Sequence, residues 1–178
     1  MLDEVLQCFD DNGNPLDGQL RSEVKKEPFQ FWCGVSKIWV VNTQGEILCS
    51  RRADHLMSGA GKWQSCFCGH VPLGISFLEN AVKELGEESG IKVESSDLCF
   101  VERVKDEKYK KFFENFILLQ DVHVDSLTFP DGEVSMARWM KVEEMSQEKN
   151  LLPDQWCNGC PENVVGAIEK MRRAYGEM

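Results

Sequence analysis

The spacing of apolar positions changes along the chain, and this change predicts where strands and helices lie. Runs rich in aromatic and β-branched residues, separated by Gly, Asn and charged turns, predict strands. The predicted strands cover residues 2–9, 31–42, 46–51, 63–70, 98–106, 111–120 and 134–142. A turn at residues 43–45 makes the second and third strands a hairpin, and residues 53–62 form a glycine-containing loop.

One central segment follows a helical period instead. Apolar or small side chains recur at Leu78, Ala81, Val82, Leu85 and Ser89. This spacing is typical of one buried helix face. Ser76 and Glu79 have the spacing of a capping box, and Gly90 suits the residue that ends a helix. A helix over residues 77–89 is therefore predicted.

Two further helices are predicted near the end of the chain, over residues 143–149 and about 161–175. The apolar side of the terminal helix either packs on the domain or mediates a homodimer. The order of elements is strands, a central helix, strands and a terminal helix. This order favours an α/β sandwich with helices packed on a sheet, and the length of 178 residues suits a single domain over 1–178.

The composition limits the classes of partner. The formal charge of −10 does not attract a nucleic-acid backbone, so nucleic-acid binding is not expected. The same charge repels an anionic substrate, so a phosphate-binding site would need a cation. There is no apolar run near eighteen residues and no basic segment followed by an apolar one at the N-terminus. We therefore expect a cytoplasmic protein without a membrane span.

The eight cysteines are expected to be reduced thiols, because the chain shows no secretory signal. Cys33, Cys49 and Cys99 lie in apolar, strand-like runs, which predicts that they are small buried side chains. Cys157 and Cys160 have the spacing of a zinc half-site, and Cys66 with Cys68 could supply the other half. The alternative is four unrelated thiols.

Three glutamates of the central helix carry the candidate chemistry. Glu84, Glu87 and Glu88 are spaced i, i+3 and i+4, which places them on one helix face opposite the apolar stripe. They lie in the last turns, where like charges and the helix dipole both disfavour anions. A divalent cation with oxygen ligands, Mg²⁺ or Mn²⁺, would resolve this conflict. The alternative is a solvated acidic face.

Residues 69–91 resemble the Nudix box, whose pattern is G-x5-E-x7-R-E-(aliphatic)-x-E-E-x-G-(aliphatic). All the spacings match. The matching residues are Gly69, Glu84, Leu85, Glu87, Glu88, Gly90 and Ile91. Ile75 replaces the first Glu of the pattern, and Lys83 replaces its Arg.

The resemblance implies a Nudix-type α/β/α sandwich with a mixed sheet and a catalytic loop–helix–loop. It implies hydrolysis of a small-molecule diphosphate, of the nucleoside-diphosphate-X type, with Mg²⁺ or Mn²⁺. Glu84, Glu87 and Glu88 would be the metal ligands, helped by a backbone carbonyl at Cys68 or Gly69. Either Glu84, Glu88 or a later carboxylate, Glu114, would act as the general base. Arg52 and Lys83 are the basic residues expected to contact substrate.

The two departures leave an alternative open. In the family, the missing Glu and Arg form an ion pair that ties the loop to the helix. Here both have changed, and apolar packing by Ile75 could replace the tie. Lower activity is one expected consequence, and a catalytically silent Nudix-fold binding module is the other.

Residues 63–70 also resemble isopentenyl-diphosphate isomerase, a branch of the same fold. In that enzyme the cysteine of a Cys-Gly-His segment is catalytic and the histidine binds metal; Cys68 and His70 match. Its two further histidines align with Lys26 and Cys33, and its Glu-x-Glu pair becomes Glu114-Asn115-Phe116. We therefore favour a hydrolase of the isomerase-like subgroup over an isomerase.

Overall fold

The computed structural model describes residues 3–157 and 159–176, and within them it shows ten strands and four α-helices. In chain order these are β1 (Val5–Leu6), β2 (Cys8–Phe9), β3 (Gln19–Leu20), α1 (Arg21–Val24), β4 (Trp32–Val41), β5 (Glu46–Arg52), β6 (Trp63–Gln64), β7 (Phe67–His70), α2 (Phe77–Ser89), β8 (Leu98–Asp106), β9 (Lys111–Leu119), β10 (Val134–Lys141), α3 (Val142–Leu151) and α4 (Glu162–Gly176).

Eight of the strands form one mixed sheet around β4. The main order is β10-β5-β4-β9-β8, while β2 and β7 also pair with β4 and β6 pairs with β5. β4 runs parallel to β9 and antiparallel to its other partners. β4 is buried over almost its whole length, which explains its nearly continuous apolar sequence. The mixed sheet is therefore confirmed.

Helices cover both faces of the sheet. On one face, Phe77, Ala81 and Leu85 of α2 pack in a core cluster with residues of β4 and β9. On the other face, Val164 and Ile168 of α4 belong to a second cluster, which includes the following side chains of the sheet and of α3: Trp39, Val41, Ile117 and Met145. This arrangement is the α/β/α sandwich that the sequence predicts.

The central helix has the predicted bounds and caps. The Ser76 hydroxyl accepts a hydrogen bond from the Glu79 N–H, and the Glu79 carboxylate accepts one from the Ser76 N–H. Gly90 adopts a left-handed conformation, with φ of 76°, which glycine tolerates because it has no Cβ. The helix therefore ends where the sequence indicates, directly after its glutamates.

Other predictions need correction. The predicted strand 2–9 is two short strands that pair with different partners, β3 and β4, and Leu2 lies outside the described residues. The strand 63–70 breaks after Gln64 because its halves pair with β5 and β4. Cys99 is exposed because β8 is an edge strand, whereas Cys33 and Cys49 are buried. In the described part of the chain, no helix is long and apolar enough to span a membrane.

Candidate active site

Glu88 is the most deeply buried glutamate of α2, with only 2% of its surface exposed. Its Oε2 accepts a hydrogen bond of 3.0 Å from the N–H of Cys68 in β7. Burial raises the pKa of the Glu88 carboxyl well above its usual range. The expected exposed acidic face is therefore wrong for Glu88, which needs a proton or a cation to offset its desolvation.

Glu84 lies one turn earlier, against the backbone of β7. A Cβ added at Gly69 would come within 2.0 Å of the Glu84 carboxyl carbon, so any larger residue at position 69 must displace this carboxylate. Burial is the main reason that the pKa of Glu84 is also raised, while Lys83 opposes this shift. The Glu84 carboxylate thus packs directly against the backbone of Gly69, and we call this contact the Gly69–Glu84 cradle.

Glu87 has a different environment from the other two glutamates. Its side chain is half exposed, and the Lys83 ammonium lies 2.7 Å from its carboxylate. The same ammonium lies 3.4 Å from Glu84. Lys83 therefore neutralises part of the acidic cluster, and it contacts carboxylates rather than standing free for substrate.

Asp131 and Glu133 are site residues that the sequence did not indicate as ligands. Carboxylate oxygens of Glu88, Asp131 and Glu133 lie within 4.8 Å of one another. The loop that carries Asp131 and Glu133 is fixed to the end of α2, because the Asp131 N–H donates a hydrogen bond of 3.1 Å to the Glu87 carbonyl. The carbonyls of a last helical turn lack intrahelical partners, so they are suited to receive such a loop.

One of the predicted backbone carbonyls, that of Gly69, is held in place by the central helix. The Gly69 carbonyl accepts a hydrogen bond of 3.2 Å from the buried side chain of Asn80. Asn80 also donates to the Ser36 hydroxyl, which in turn donates to the Phe77 carbonyl. Asn80 is a positioning residue that sequence reasoning missed, since a polar residue on a helix gives no sign of its burial.

A cavity of about 770 Å³ lies beside these residues, and Glu88 itself is not among the residues that line it. Four of the predicted site residues line it together with Asp131 and Glu133; they are Glu84, Glu87, Arg52 and Lys83. Cys68 and Gly69 line it too. Arg52 donates from Nε to the Ser58 carbonyl at 3.1 Å, and within the described residues its guanidinium forms no ion pair. The cavity therefore has carboxylates and a free guanidinium on its walls.

Glu114 does not join this group. Its neighbour Phe113 lines the cavity, and successive residues of a strand point to opposite faces. The Glu114 carboxylate accordingly faces Arg103, 3.9 Å away. The candidate base Glu114 therefore points to the face of the sheet opposite the cavity-lining side chain of Phe113.

Ile75 packs against the core cluster under α2. Apolar packing thus takes the place of the loop-to-helix ion pair, as the sequence suggested, and leaves Lys83 to pair with Glu87.

The Cys-Gly-His segment also lines the cavity, where His70 pairs with Val35, two residues after Cys33 on β4. Lys25 lines this wall, whereas the exposed Lys26 is not among its residues. Burial, followed by the charges of Lys111, Arg21 and Lys25, lowers the pKa of His70 to about 3. Of the two positions aligned with isomerase histidines, Cys33 lines the cavity as a thiol and Lys26 does not line it, so His70 is the one imidazole among the described lining residues.

The proposed zinc site does not form among the described residues. The carboxylates of Glu88, Asp131 and Glu133 are the single group there with the spacing of metal ligands. Cys157 lines the cavity, whereas Cys160 packs against the core beside α4. Burial raises the pKa of Cys160 to about 12, which opposes the thiolate form that zinc requires.

The donor set fits a hard divalent cation. Carboxylates and backbone carbonyls are the oxygen ligands that Mg²⁺ and Mn²⁺ accept. Two observations support the fit: the Glu88 carboxyl is buried without a positive partner among the described residues, and the Glu84 carboxylate occupies the space of a Cβ at Gly69.

Comparisons with known proteins agree with this geometry. A family model described as the NUDIX domain matches residues 34–157. Isopentenyl-diphosphate Delta-isomerase 2 of Photorhabdus laumondii is 24% identical over 160 residues, covering 86% of each chain. An uncharacterised Nudix hydrolase of Clostridium acetobutylicum is 23% identical over 156 residues, which is 83% of this chain and 74% of the relative.

Solved structures show the same fold. A protein of Deinococcus radiodurans superposes with a TM-score of 0.70 at 18% identity, over 97% of this chain and 99% of its own. The NUDIX domain of Shewanella oneidensis NrtR, solved with ADP ribose, gives a TM-score of 0.56 at 13% identity, over 88% and 99%. The match of the family model over most of the chain, on the fold and box described above, shows that this protein belongs to the NUDIX family.

Proposed function

We propose that this protein is a hydrolase that cleaves a diphosphate linkage in a nucleoside-diphosphate-X type of substrate, with Mg²⁺ or Mn²⁺. The observation that carries the proposal is the group of Glu88, Asp131 and Glu133, whose carboxylates lie within 4.8 Å of one another beside a cavity of about 770 Å³. The NUDIX domain bound to ADP ribose in Shewanella oneidensis NrtR shows that this fold accepts a diphosphate compound.

The carboxylates have distinct proposed roles. Glu88, Asp131 and Glu133 would hold the cation, and the Gly69 carbonyl would add a neutral oxygen. When bound, the cation would neutralise phosphate charge and polarise the phosphorus that water attacks. Glu87, which pairs with Lys83, is a ligand only if that ion pair opens. This set keeps Glu88 from the sequence hypothesis and adds two residues of the late loop.

Glu84 is the proposed general base. Its carboxylate lies at the cavity wall with 14% of the side chain exposed, so one water molecule can reach it. The raised pKa, caused mainly by burial, makes the carboxylate a better proton acceptor than a solvated one. Arg52 is free to contact a phosphate oxygen, since planar guanidinium groups bind phosphate through paired hydrogen bonds.

The test is a screen of pure protein against nucleotide sugars, dinucleotides, nucleoside triphosphates and prenyl diphosphates. Each is assayed with Mg²⁺, with Mn²⁺ and with chelator, and released phosphate is read after a phosphatase step. We expect turnover only when Mg²⁺ or Mn²⁺ is present, and we expect Glu88→Gln to abolish it. The control Glu144→Gln changes an exposed glutamate of α3 outside the cavity and should retain turnover.

The screen also separates the alternatives. Isopentenyl diphosphate is included in heavy water, because an isomerase would exchange its protons without releasing phosphate. Metal binding without turnover of any compound would favour the silent binding module. Turnover that survives in Glu88→Gln would contradict the proposed site.

A further inference from the structure

The cavity gathers basic side chains in a strongly acidic protein. The chain has 30 acidic and 20 basic residues, yet six of the basic ones line this one cavity. They are Arg21, Lys25, Lys37, Arg52, Lys83 and Lys111. Lys83 is neutralised by Glu87, and Arg21 by Glu4 at 2.8 Å. The other four form no ion pair with any carboxylate that the structure describes, although Glu84, Asp131 and Glu133 also line the cavity.

Strand register places two of these lysines far apart along the sheet. Lys37 of β4 pairs with Cys68, next to the buried Glu88. Lys111 of β9 pairs with Cys33, four residues earlier on β4. Four residues of strand span about 13 Å, which exceeds the length of a single diphosphate group. The backbone of Lys37 therefore lies at the carboxylate end of the cavity and that of Lys111 at a separate end, while the Lys37 side chain reaches back over Phe113.

Electrostatic effects divide most of the cations in the same way, while Lys25 also interacts with the Glu133 carboxylate. Lys37 and Arg52 both act on the thiol of Cys68. Arg21, Lys25 and Lys111 act instead on His70 and Cys33. We call Lys25 and Lys111, with Arg21 beside them, the distal cation group. Its two unpaired ammonium groups repel one another, and a bound anion would relieve that repulsion.

His70 supplies an additional polar atom at the distal cation group. Its ring lines the cavity, and its buried Nε2 has no hydrogen-bond partner in the described structure. Buried polar atoms are nearly always satisfied, so an unpartnered one at a cavity wall indicates a ligand or water molecule. The distal end thus offers two ammonium groups and an imidazole nitrogen.

The two ends are separated by an apolar strip. Val35 of β4 and Phe113 of β9 pair with one another, and along the strands they lie between Lys37 and Lys111. His70 pairs with Val35 on its other side and borders this strip. Val35 and Phe113 both line the cavity. Phe113 also carries the Lys37 ammonium 3.9 Å above its ring. A ligand that joins both ends must therefore pass over an apolar and aromatic surface.

We propose that the distal cation group is a second anion subsite, and that the substrate carries a phosphate or carboxylate in addition to its diphosphate. An apolar or ring-bearing spacer, long enough to cross Val35 and Phe113, would join the two anionic parts. Lys25 and Lys111 would bind the second anion, while Lys37 and Arg52 bind the diphosphate. The assignment of the diphosphate end rests on the proposed function; the distal subsite itself does not.

The test is a calorimetric titration of the full chain with inorganic phosphate in the presence of chelator, so that no metal site contributes. The double variant Lys25→Gln/Lys111→Gln is compared with Lys92→Gln/Lys141→Gln, which removes two exposed charges outside the cavity. We expect the cavity variant to lose one phosphate-binding event or to weaken it by about tenfold. Equal titrations of the two variants, or no saturable binding by wild type, would overturn the subsite.

Circular dichroism of both variants verifies that they fold. The result is independent of turnover, because the titration uses neither metal nor diphosphate. If the cavity variant loses phosphate binding and the wild-type protein hydrolyses none of the compounds, the proposed function is wrong and the subsite stands. If the wild-type protein shows metal-dependent hydrolysis and the cavity variant binds phosphate as wild type does, the proposed function stands and the subsite is wrong.

Discussion

The carboxylate of Glu84 lies directly over the α-carbon of Gly69, so that a methyl group at position 69 would come within 2.0 Å of the carboxyl carbon. This contact couples β7 to α2 at the point where the proposed base and a proposed carbonyl ligand meet. The glycine of the box is thus required by space rather than by its backbone angles, since its φ is not in the left-handed region.

The first prediction concerns Gly69→Ala. The new methyl group must displace Glu84, and a shift of about 1 Å in a catalytic group can lower turnover about a hundredfold. The measurement is metal-dependent hydrolysis at saturating substrate. Gly86→Ala is the matched control, because a Cβ there meets only the Ile91 carbonyl at 3.8 Å. Equal activities of the two variants would show that the cradle is not needed.

The second prediction concerns Glu88→Gln without metal. The amide keeps the acceptor for the Cys68 N–H but removes a buried charge, so the metal-free variant should be about 1 kcal/mol more stable than wild type at neutral pH. Urea unfolding in chelator gives the free energy of unfolding. The same variant should lose the rise in Tm that Mg²⁺ produces in wild type by binding the folded state. A destabilised metal-free variant would contradict this account.

The third prediction concerns Lys83→Met. Removing the ammonium leaves Glu87 and Glu84 without their shared positive partner, and the more negative cluster should bind Mn²⁺ about two- to fivefold more tightly. The expected gain in Mn²⁺ affinity is small because the Lys83–Glu87 pair is partly exposed, so solvent screens its charges. Calorimetric Mn²⁺ titration measures the change. Weaker binding would mean that Lys83 supports the site through its position instead.

The fourth prediction concerns Asn80→Ala. The substitution leaves the Ser36 hydroxyl and the Gly69 carbonyl without their buried donor, which should cost about 1–3 kcal/mol of stability. It should also lower kcat more than it raises KM, because the Gly69 carbonyl loses its fixed position. Asn150→Ala, on the exposed end of α3, is the control. A change in stability with intact kcat would limit Asn80 to a structural role.

The central helix was predictable because its signals are local. Its apolar period, its capping box and Gly90 all lie within the segment itself, and the structure places α2 at the predicted residues. The strands of the buried sheet were predictable for a similar reason, since β4 shows its burial as an unbroken apolar run. The box spacing likewise identified the family, which the family model confirms.

The assembly of the site depends on contacts between distant segments, which no local pattern reveals. Only the fold shows that Glu88 is buried, that the loop with Asp131 is fixed to the end of α2, and that Glu114 lies on the opposite face of the sheet from Phe113. The distal cation group arises in the same way. Lys111 reaches the cavity because parallel pairing places β9 beside β4, and Lys25 reaches it from the residue after α1. Both placements are decided by the packing of the whole sheet rather than by either segment alone.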